Sequence, residues 1–390
     1  MSVRRAGLGL GAALALVVVG VGTGTAQTPQ PLSFGLFPFP GAAGAPVSGT
    51  SAGVALADRW LADEPSGNPA VAAGFHVTAS PTVLRVNRQD LASHNRSYSE
   101  TGAFFDGAGL TIGLPGFGPF AGALYVSQPV LRFEDTAYIQ GLSTPGPAPP
   151  PASIATHASM RETRAGAALA TSLGALRVGL GVEWTRREDQ YRRDYHGGSM
   201  DDGTTQVGFT GGVLGGQAGV RYDRGDSAVG ACAIGAAIRV LPAMTVTGTE
   251  SIETLSQSSE QPTSARRSGG IEAGVSARVL ATPTFRALAS FGGRSSQRWD
   301  GYGLAAGSGW EWKLGGEFHD PREPWSLRFG AGMEREDGVP EPRAGVFALG
   351  FGWRFDDATV DFGLTHRTIA RAGLPNSFDD RVVASVRVPR

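Results

Sequence analysis

The chain has 390 residues, and its composition and charge exclude several classes of protein before any motif is considered. With 34 basic and 35 acidic residues the net charge is −1, so the chain lacks the basic surplus of a nucleic-acid-binding protein. The single cysteine, Cys232, excludes an intrachain disulfide and a cysteine-based zinc site, and the 6 histidines show no paired metal spacing. We therefore expect neither a metal nor a cofactor.

The N-terminus has the organisation of a secretory signal peptide. Arg4 and Arg5 form a positive start, Ala6–Val21 is an apolar core, and Gly24-Thr25-Ala26 offers small residues for cleavage. We expect residues 1–26 to be removed on export, with an uncleaved membrane anchor as the alternative. Beyond this segment no stretch reaches the roughly 18 apolar residues that a spanning helix needs.

Residues 27–70 do not alternate in polarity and are predicted to form a separate segment ahead of the strands. An alanine-rich run over 51–63 predicts a helix with Ser51 as its N-cap. About forty exported residues of this kind are suited to fill the lumen of a barrel. The aromatic residues of the segment's proline-rich start are Phe34, Phe37 and Phe39.

From residue 71 onward, large apolar side chains alternate with small or charged ones, which is typical of strands with one apolar and one polar face. Trp310, Trp312 and Leu314 share one face of such a strand, and Glu311 and Lys313 share the other. The predicted strands lie near 73–88, 101–113, 119–134, 159–171, 175–189, 205–222, 226–241, 265–281, 284–298, 307–319, 324–335, 342–355, 358–369 and 379–389. Fourteen is an even number, as bacterial outer-membrane barrels require.

The connections between the predicted strands alternate between short turns and long polar loops. The longest predicted loops are 135–158, 190–204 and 242–264. Periplasmic turns and extracellular loops of outer-membrane barrels alternate in this way, whereas a soluble sandwich has no reason to. The sequence therefore predicts an all-β protein, a 14-stranded antiparallel transmembrane β-barrel over residues 71–390, in the bacterial outer membrane.

Two residue types refine the predicted wall. Glycines at inward positions give the wall few bulky side chains, so another part of the chain must fill the lumen. Tryptophans near strand ends predict an aromatic girdle at the membrane interfaces. The glycines are Gly179, Gly181, Gly350 and Gly352, and the tryptophans are Trp184, Trp310, Trp325 and Trp353.

The segment before the first strand resembles that of a known family. Ala55-Leu56-Ala57-Asp58 lies in the alanine-rich run, and Asn68-Pro69-Ala70 immediately precedes the first predicted strand. Together with the strand count and the leader, these motifs resemble the FadL family of outer-membrane transporters for long-chain fatty acids and other hydrophobic compounds. The resemblance implies a barrel plugged by an N-terminal hatch, here residues 27–70, with Asn68, Pro69 and Ala70 at the junction of hatch and wall.

The resemblance also implies a function, passive transport of hydrophobic small molecules such as long-chain fatty acids. In the family a ligand binds an apolar pocket and leaves sideways through a gap at a kinked strand. Candidate ligand contacts are Phe34, Phe37 and Phe39, with plain packing of the hatch as the alternative. Gly122 and Pro129 mark the strand at 119–134 as a candidate for the kink, because proline cannot donate to the ladder. The alternative is that Pro129 lies at the extracellular end of that strand and makes no kink.

Other functions remain open at this level. The barrel could be a scaffold for secretion or surface attachment, with loops 135–158 and 242–264 as docking surfaces. A Gly-x-Ser-x-Gly match at residues 49–53 follows no strand and has no supporting His and acid, so we expect no enzyme. Expected partners are a hydrophobic small molecule, outer-membrane lipid and lipopolysaccharide, with no nucleic acid, and we expect a monomer.

Overall fold

The computed structural model describes most of the chain from residue 53 onward. The described ranges are 53–62, 64–72, 76–90, 98–139, 152–196, 203–224, 232–254, 258–300, 305–306, 308–336, 343–371 and 374–389. The predicted signal peptide and hatch residues Phe34, Phe37, Phe39 and Ser51 lie outside these ranges. Within them, no helix is long and apolar enough to cross a membrane.

The described residues form one antiparallel sheet of eighteen strand segments. The segments are β1 (His76–Asp90), β2 (Tyr98–Gly113), β3 (Phe120–Ile139), β4 (Ala152–Leu173), β5 (Leu176–His196), β6 (Gly203–Arg224), β7 (Cys232–Leu241), β8 (Met244–Thr254), β9 (Ser258–Arg267), β10 (Gly270–Ala281), β11 (Phe285–Arg294), β12 (Gln297–Asp300), β13 (Ala305–Ala306), β14 (Gly309–His319), β15 (Trp325–Glu336), β16 (Arg343–Arg354), β17 (Thr359–Arg371) and β18 (Leu374–Pro389). One short 3₁₀ helix, Pro69–Val71, precedes β1.

These eighteen segments make fourteen barrel strands, because four barrel strands are interrupted once each. The interrupted strands are β7 with β8, β9 with β10, β11 with β12 and β13 with β14. The ladder continues across the break: Leu241 pairs with Gly270, and beyond Pro242 and Ala243 the next pair is Met244 with Arg267. The last strand, β18, pairs with β1 and closes the barrel. The predicted count of fourteen antiparallel strands is confirmed.

The described residues of the predicted long loops are mostly strand, so the loop boundaries predicted from the sequence are wrong there. Of 135–158 and 190–204, the described parts belong to β3, β4, β5 and β6, and of 242–264 most residues lie in β8 and β9. Strands of 20–22 residues such as β3, β4 and β5 are far longer than the roughly 9–11 residues that cross a bilayer. Beyond the bilayer both faces of a strand meet water, so alternation disappears from the sequence although the strand continues.

The wall has an apolar outer face and a polar or small-residue inner face. On β16, Phe347 and Leu349 are 60% and 63% exposed, while Val346 and Ala348 between them are 2% and 5% exposed. Large apolar side chains are exposed in this manner on strands all around the barrel. An outer face of this composition on a closed barrel is typical of membrane-spanning barrels.

The tryptophans lie at two levels of this apolar face. Trp325 pairs with Trp353 across β15 and β16, at the end of the barrel that carries the tight turns. Trp184 lies in the middle of β5 rather than at its end, but Arg186 immediately above it has a side chain 60% exposed. The change from tryptophan to arginine marks the opposite edge of the apolar face, where an interface girdle is expected.

The described residues 53–72, here called the lumenal segment, lie against the inner face of the wall. They do not form the predicted helix over 51–63: after Gly53 they make a succession of turns. Ala55 and Leu56 have φ of 54° and 65°, in the left-handed region that a right-handed helix cannot include. The alanine-rich composition favours a helix locally, and tertiary contacts override it.

Candidate functional site

The lumenal segment lies directly on inward-facing glycines of the wall. A Cβ added at Gly315 would lie 2.8 Å from Val54 Cβ, and one at Gly350 would lie 2.7 Å from Gly53 Cα. Any larger side chain at these positions would overlap the segment, so glycine is required by close approach rather than by φ. The seven wall glycines in contact with it are Gly179, Gly219, Gly235, Gly274, Gly315, Gly330 and Gly350.

One end of the segment is anchored by Asn68, whose side chain is fully buried. Its Nδ2 donates to the carbonyl of Trp60 at 2.7 Å and to the carbonyl of Val220 on β6 at 3.0 Å. Its Oδ1 accepts from the N–H of Ala70 at 3.0 Å and caps the 3₁₀ helix, with Pro69 at the first helical position. This side chain therefore joins two parts of the segment to each other and to the wall.

Polar side chains of the wall satisfy the carbonyls of the segment. Gln217 donates to the carbonyl of Pro65 at 2.9 Å, and Arg221 donates to the carbonyl of Leu61 at 3.1 Å. The hydroxyl of Ser276 on β10 accepts from the N–H of Trp60 at 3.2 Å. Irregular backbone inside a membrane barrel needs such partners, because it has no ladder of its own.

Arg59 connects the segment to two carboxylates of the wall. Its guanidinium forms ion pairs with Glu272 on β10 and, at 3.3 Å, with Glu311 on β14. It also lies 4.6 Å from the centre of the Trp60 ring, within cation–π distance. Burial disfavours the charged form, but the two carboxylates outweigh burial and raise the pKa of Arg59.

These pairs belong to a chain of charged and polar groups that follows the inner face of the wall from strand to strand. Its contacts include Lys313 with Glu311 at 2.9 Å and Arg239 with Glu183 at 3.6 Å. In order of contact the groups are Tyr125, Glu183, Arg239, Glu272, Arg59, Glu311, Lys313, Glu334 and Arg367. Arg59 is the only member contributed by the lumenal segment. In the described part of the chain, no cluster of His, Cys, Asp or Glu could hold a metal ion.

An apolar patch lies on the inner face beyond this charged layer, toward the end opposite the tight turns. Its buried members come from β6, β8 and β9, and Val213 packs against them. The patch begins at the interruption between β7 and β8, where Pro242 ends the ladder. Odd-numbered residues face inward on β7, whereas even-numbered residues face inward on β8. The members are Val207, Phe209, Met244, Val246 and Ala265. These five side chains pack together and are only 1–8% exposed.

The wall is discontinuous between β2 and β3. Their pairing starts at Gly113 with Ala123 and ends at Gly107 with Pro129. Over the rest of the described residues of both strands there is no pairing between them, although β2 remains paired with β1, and β3 with β4. The β3–β4 ladder itself omits Gln128 and Pro129.

Two further irregularities lie at the same height as Pro129. The β1–β2 register shifts next to Thr82, so that Asp106 on β2 is an extra, unpaired residue of a bulge. The β1–β18 ladder omits Ser80 and Pro81. Irregularities on neighbouring strands therefore surround the point at which β2 and β3 separate.

The structure places the predicted site residues in different surroundings. Asn68, Pro69 and Ala70 lie together on the wall, and Pro129 lies where the β2–β3 pairing ends. Gly122 does not lie at an irregularity: its carbonyl accepts from Leu114 at 2.8 Å, and it pairs regularly with Leu169. Sequence reasoning missed Arg59 and the inward apolar patch. Lone charges at inward positions, such as Glu311, were the only signal in the sequence for a partner of Arg59. Nothing in the strand pattern marked the inward apolar patch.

The fold has relatives of known structure, although no protein-family model and no curated protein matches the sequence. A Pseudomonas aeruginosa FadL homologue superposes with a TM-score of 0.63 at 12% identity, covering 88% of this chain and 98% of that one. The Ralstonia pickettii toluene transporter TbuX superposes with a TM-score of 0.58 at 12% identity, covering 83% of this chain and 92% of that one. The Pseudomonas putida toluene transporter TodX superposes with a TM-score of 0.58 at 11% identity, covering 87% of this chain and 96% of that one. Identity this low establishes the fold alone: the chain has the architecture of a FadL-type barrel.

Proposed function

We propose that the protein is a FadL-type channel of the bacterial outer membrane that admits hydrophobic small molecules by passive diffusion. The apolar outer face fits a lipid bilayer, and the expected signal peptide fits export. The solved structures that share the fold include toluene transporters and a FadL homologue. A hydrophobic solute crosses a lipopolysaccharide leaflet slowly, so an apolar path through the wall would speed its entry. The proposal involves no covalent chemistry and no cofactor.

The single observation that carries the proposal is the separation of β2 from β3 beyond Pro129. An aqueous pore needs no opening in its wall, whereas a solute bound for the membrane does. A molecule in contact with Phe209 and Val246 on the inner face would have a lateral exit at this separation. Long-chain fatty acids and alkylbenzenes are both candidate solutes, since both are apolar over most of their surface.

In this proposal the N-terminal residues 27–70 act as a hatch. The support is that the described residues 53–72 cover the inward glycines and that wall side chains bind their carbonyls. Asn68, Pro69 and Ala70 would form the junction between hatch and wall. Phe34, Phe37 and Phe39 remain candidate ligand contacts. The protein would work as a monomer surrounded by outer-membrane lipid and lipopolysaccharide.

Substitution at Pro129 tests the lateral exit. Pro129→Ala restores an N–H at the point where pairing stops, so the β2–β3 ladder can continue and narrow the opening. We expect slower uptake of a radiolabelled alkylbenzene into outer-membrane vesicles that carry this variant than into vesicles that carry the parent protein. Pro115→Ala, in the exposed β2–β3 turn, is the matched control and should leave uptake unchanged. Equal uptake by the Pro129→Ala variant and the parent would contradict a lateral exit here.

A further inference from the structure

We propose that Arg59 is a releasable ionic latch that holds the lumenal segment against the wall. The proposal rests on the hatch role proposed above and names the side chain that controls it. Arg59 touches no solute in this account. It acts by positioning the segment between two barrel strands, β10 and β14, through Glu272 and Glu311.

Each of the two carboxylates keeps contact with a wall cation when Arg59 leaves. Glu272 is also paired with Arg239 at 3.3 Å, and Glu311 with Lys313 at 2.9 Å. Removing one partner of an isolated buried ion pair leaves an uncompensated charge, which is strongly unfavourable. Here each carboxylate of the wall keeps a cation contact, although the chain from Glu183 to Arg367 then holds four carboxylates and three cations, so detachment of Arg59 costs less than breaking an isolated pair and can be reversed.

The two wall cations, Lys313 and Arg239, each have a further carboxylate partner in the wall. Lys313, the only lysine of the chain, is 1% exposed and also pairs with Glu334 at 3.2 Å. Arg239 also pairs with Glu183 at 3.6 Å, and it donates to the carbonyl of Ser66 in the lumenal segment. Both cations would therefore stay beside their carboxylates when the guanidinium of Arg59 withdraws.

The attachments of the segment at Asn68 and at Arg59 differ in kind. At Asn68 the contacts are hydrogen bonds to backbone carbonyls, and this end is joined to β1 after only a few residues. Arg59 lies farther from β1 along the chain, and its ion pairs depend on side chains alone. Trp60, which stacks on Arg59, would move with it once its backbone hydrogen bonds to Ser276 and Asn68 break. The geometry therefore points to Asn68–Ala72 as the fixed end and to the part around Arg59 as the end that opens.

Accessibility of a buried position in the moving part tests the latch. In a Cys232→Ala background, Val54→Cys places one thiol where the native side chain is 1% exposed and rests on Gly315. Labelling of that thiol by a hydrophilic maleimide, on the full chain in outer-membrane vesicles, reports opening. We expect Arg59→Gln to raise the labelling rate at least tenfold and Arg59→Lys, which keeps the charge, to restore most of the protection.

The matched control is Arg367→Gln. Arg367 is also a buried arginine paired with a carboxylate, Glu334, which keeps Lys313 when Arg367 is removed, but both partners belong to the wall. We expect its labelling rate to equal that of the parent. If Arg59→Gln does not fold, the double variant Glu272→Gln with Glu311→Gln removes the same two ion pairs and should label equally fast.

An unchanged labelling rate in the folded Arg59→Gln or carboxylate variant would overturn the latch, as would an equal increase in Arg367→Gln. The readout contains no transported solute, so it separates this inference from the proposed function. Rapid labelling without any hydrophobic uptake would leave the latch standing and remove the transport proposal. Hydrophobic uptake by the parent protein, together with an unchanged labelling rate in Arg59→Gln, would support the transport proposal and overturn the latch.

Discussion

Asn68→Ala should release the anchored end of the lumenal segment. The side chain makes three hydrogen bonds, two as donor to the carbonyls of Trp60 and Val220 and one as acceptor from Ala70. A buried hydrogen bond contributes about 1 kcal/mol net, and more when its partner is left unsatisfied. Asn68→Ala should therefore lower the free energy that holds the segment closed by about 3 kcal/mol. Because 1.4 kcal/mol corresponds to a factor of ten, the open fraction of the segment should rise roughly 100-fold.

Hydrogen–deuterium exchange followed by mass spectrometry measures this change directly. Amides of residues 54–61 exchange only when the segment opens, so their rate should rise by about the same factor, roughly 100-fold, while amides of β15 and β16 stay protected. Gln261→Ala is the control, since it removes a side-chain hydrogen bond on the exposed strand β9. Exchange of residues 54–61 no faster in Asn68→Ala than in Gln261→Ala would refute the role assigned to Asn68.

Two further predictions concern the path of the solute. In a Cys232→Ala background, Val54→Cys with Gly315→Cys brings the two Cβ atoms to 2.8 Å, about 1 Å less than the roughly 3.8 Å of a disulfide, so the segment must move back by that amount for the bond to form. The oxidised variant should lose hydrophobic uptake and regain it on reduction, and uptake that is indifferent to reductant would show that the segment need not move. Phe209→Ala removes an aromatic contact whose burial is worth about 1.5–3 kcal/mol, so half-maximal uptake should need roughly tenfold or more solute. Leu214→Ala, on the outward face of the same strand, is its control, and equal effects of the two would contradict a ligand contact at Phe209.

The fold could be predicted from the sequence wherever the wall lies between lipid and lumen. Alternation such as that of Phe347, Leu349 and their small neighbours gives the strand count, because the two faces have different surroundings. The prediction of strands failed where both faces of a strand meet the same surroundings. The segment Ser258–Arg267 is exposed on both faces over its first five residues, so its sequence resembles a loop although it is a strand.

The candidate site was predictable only in part. Inward glycines such as Gly179 and Gly350 predicted a wall that something else must cover, and Pro129 was marked by its missing N–H. Arg59 could not be assigned a partner, because Glu272 and Glu311 lie 213 and 252 positions away in the sequence. The left-handed backbone at Ala55 and Leu56 was equally hidden, since neither residue favours that conformation.

Uptake of hydrophobic solutes tests the central proposal most directly. Radiolabelled alkylbenzene and long-chain fatty acid would be offered to outer-membrane vesicles that contain the full chain, the oxidised Val54→Cys with Gly315→Cys variant, or no channel. A hydrophobic channel gated by its lumenal segment predicts uptake above empty vesicles for at least one solute, and its loss in the oxidised variant. Uptake of both solutes by the full chain at the rate of empty vesicles would contradict it.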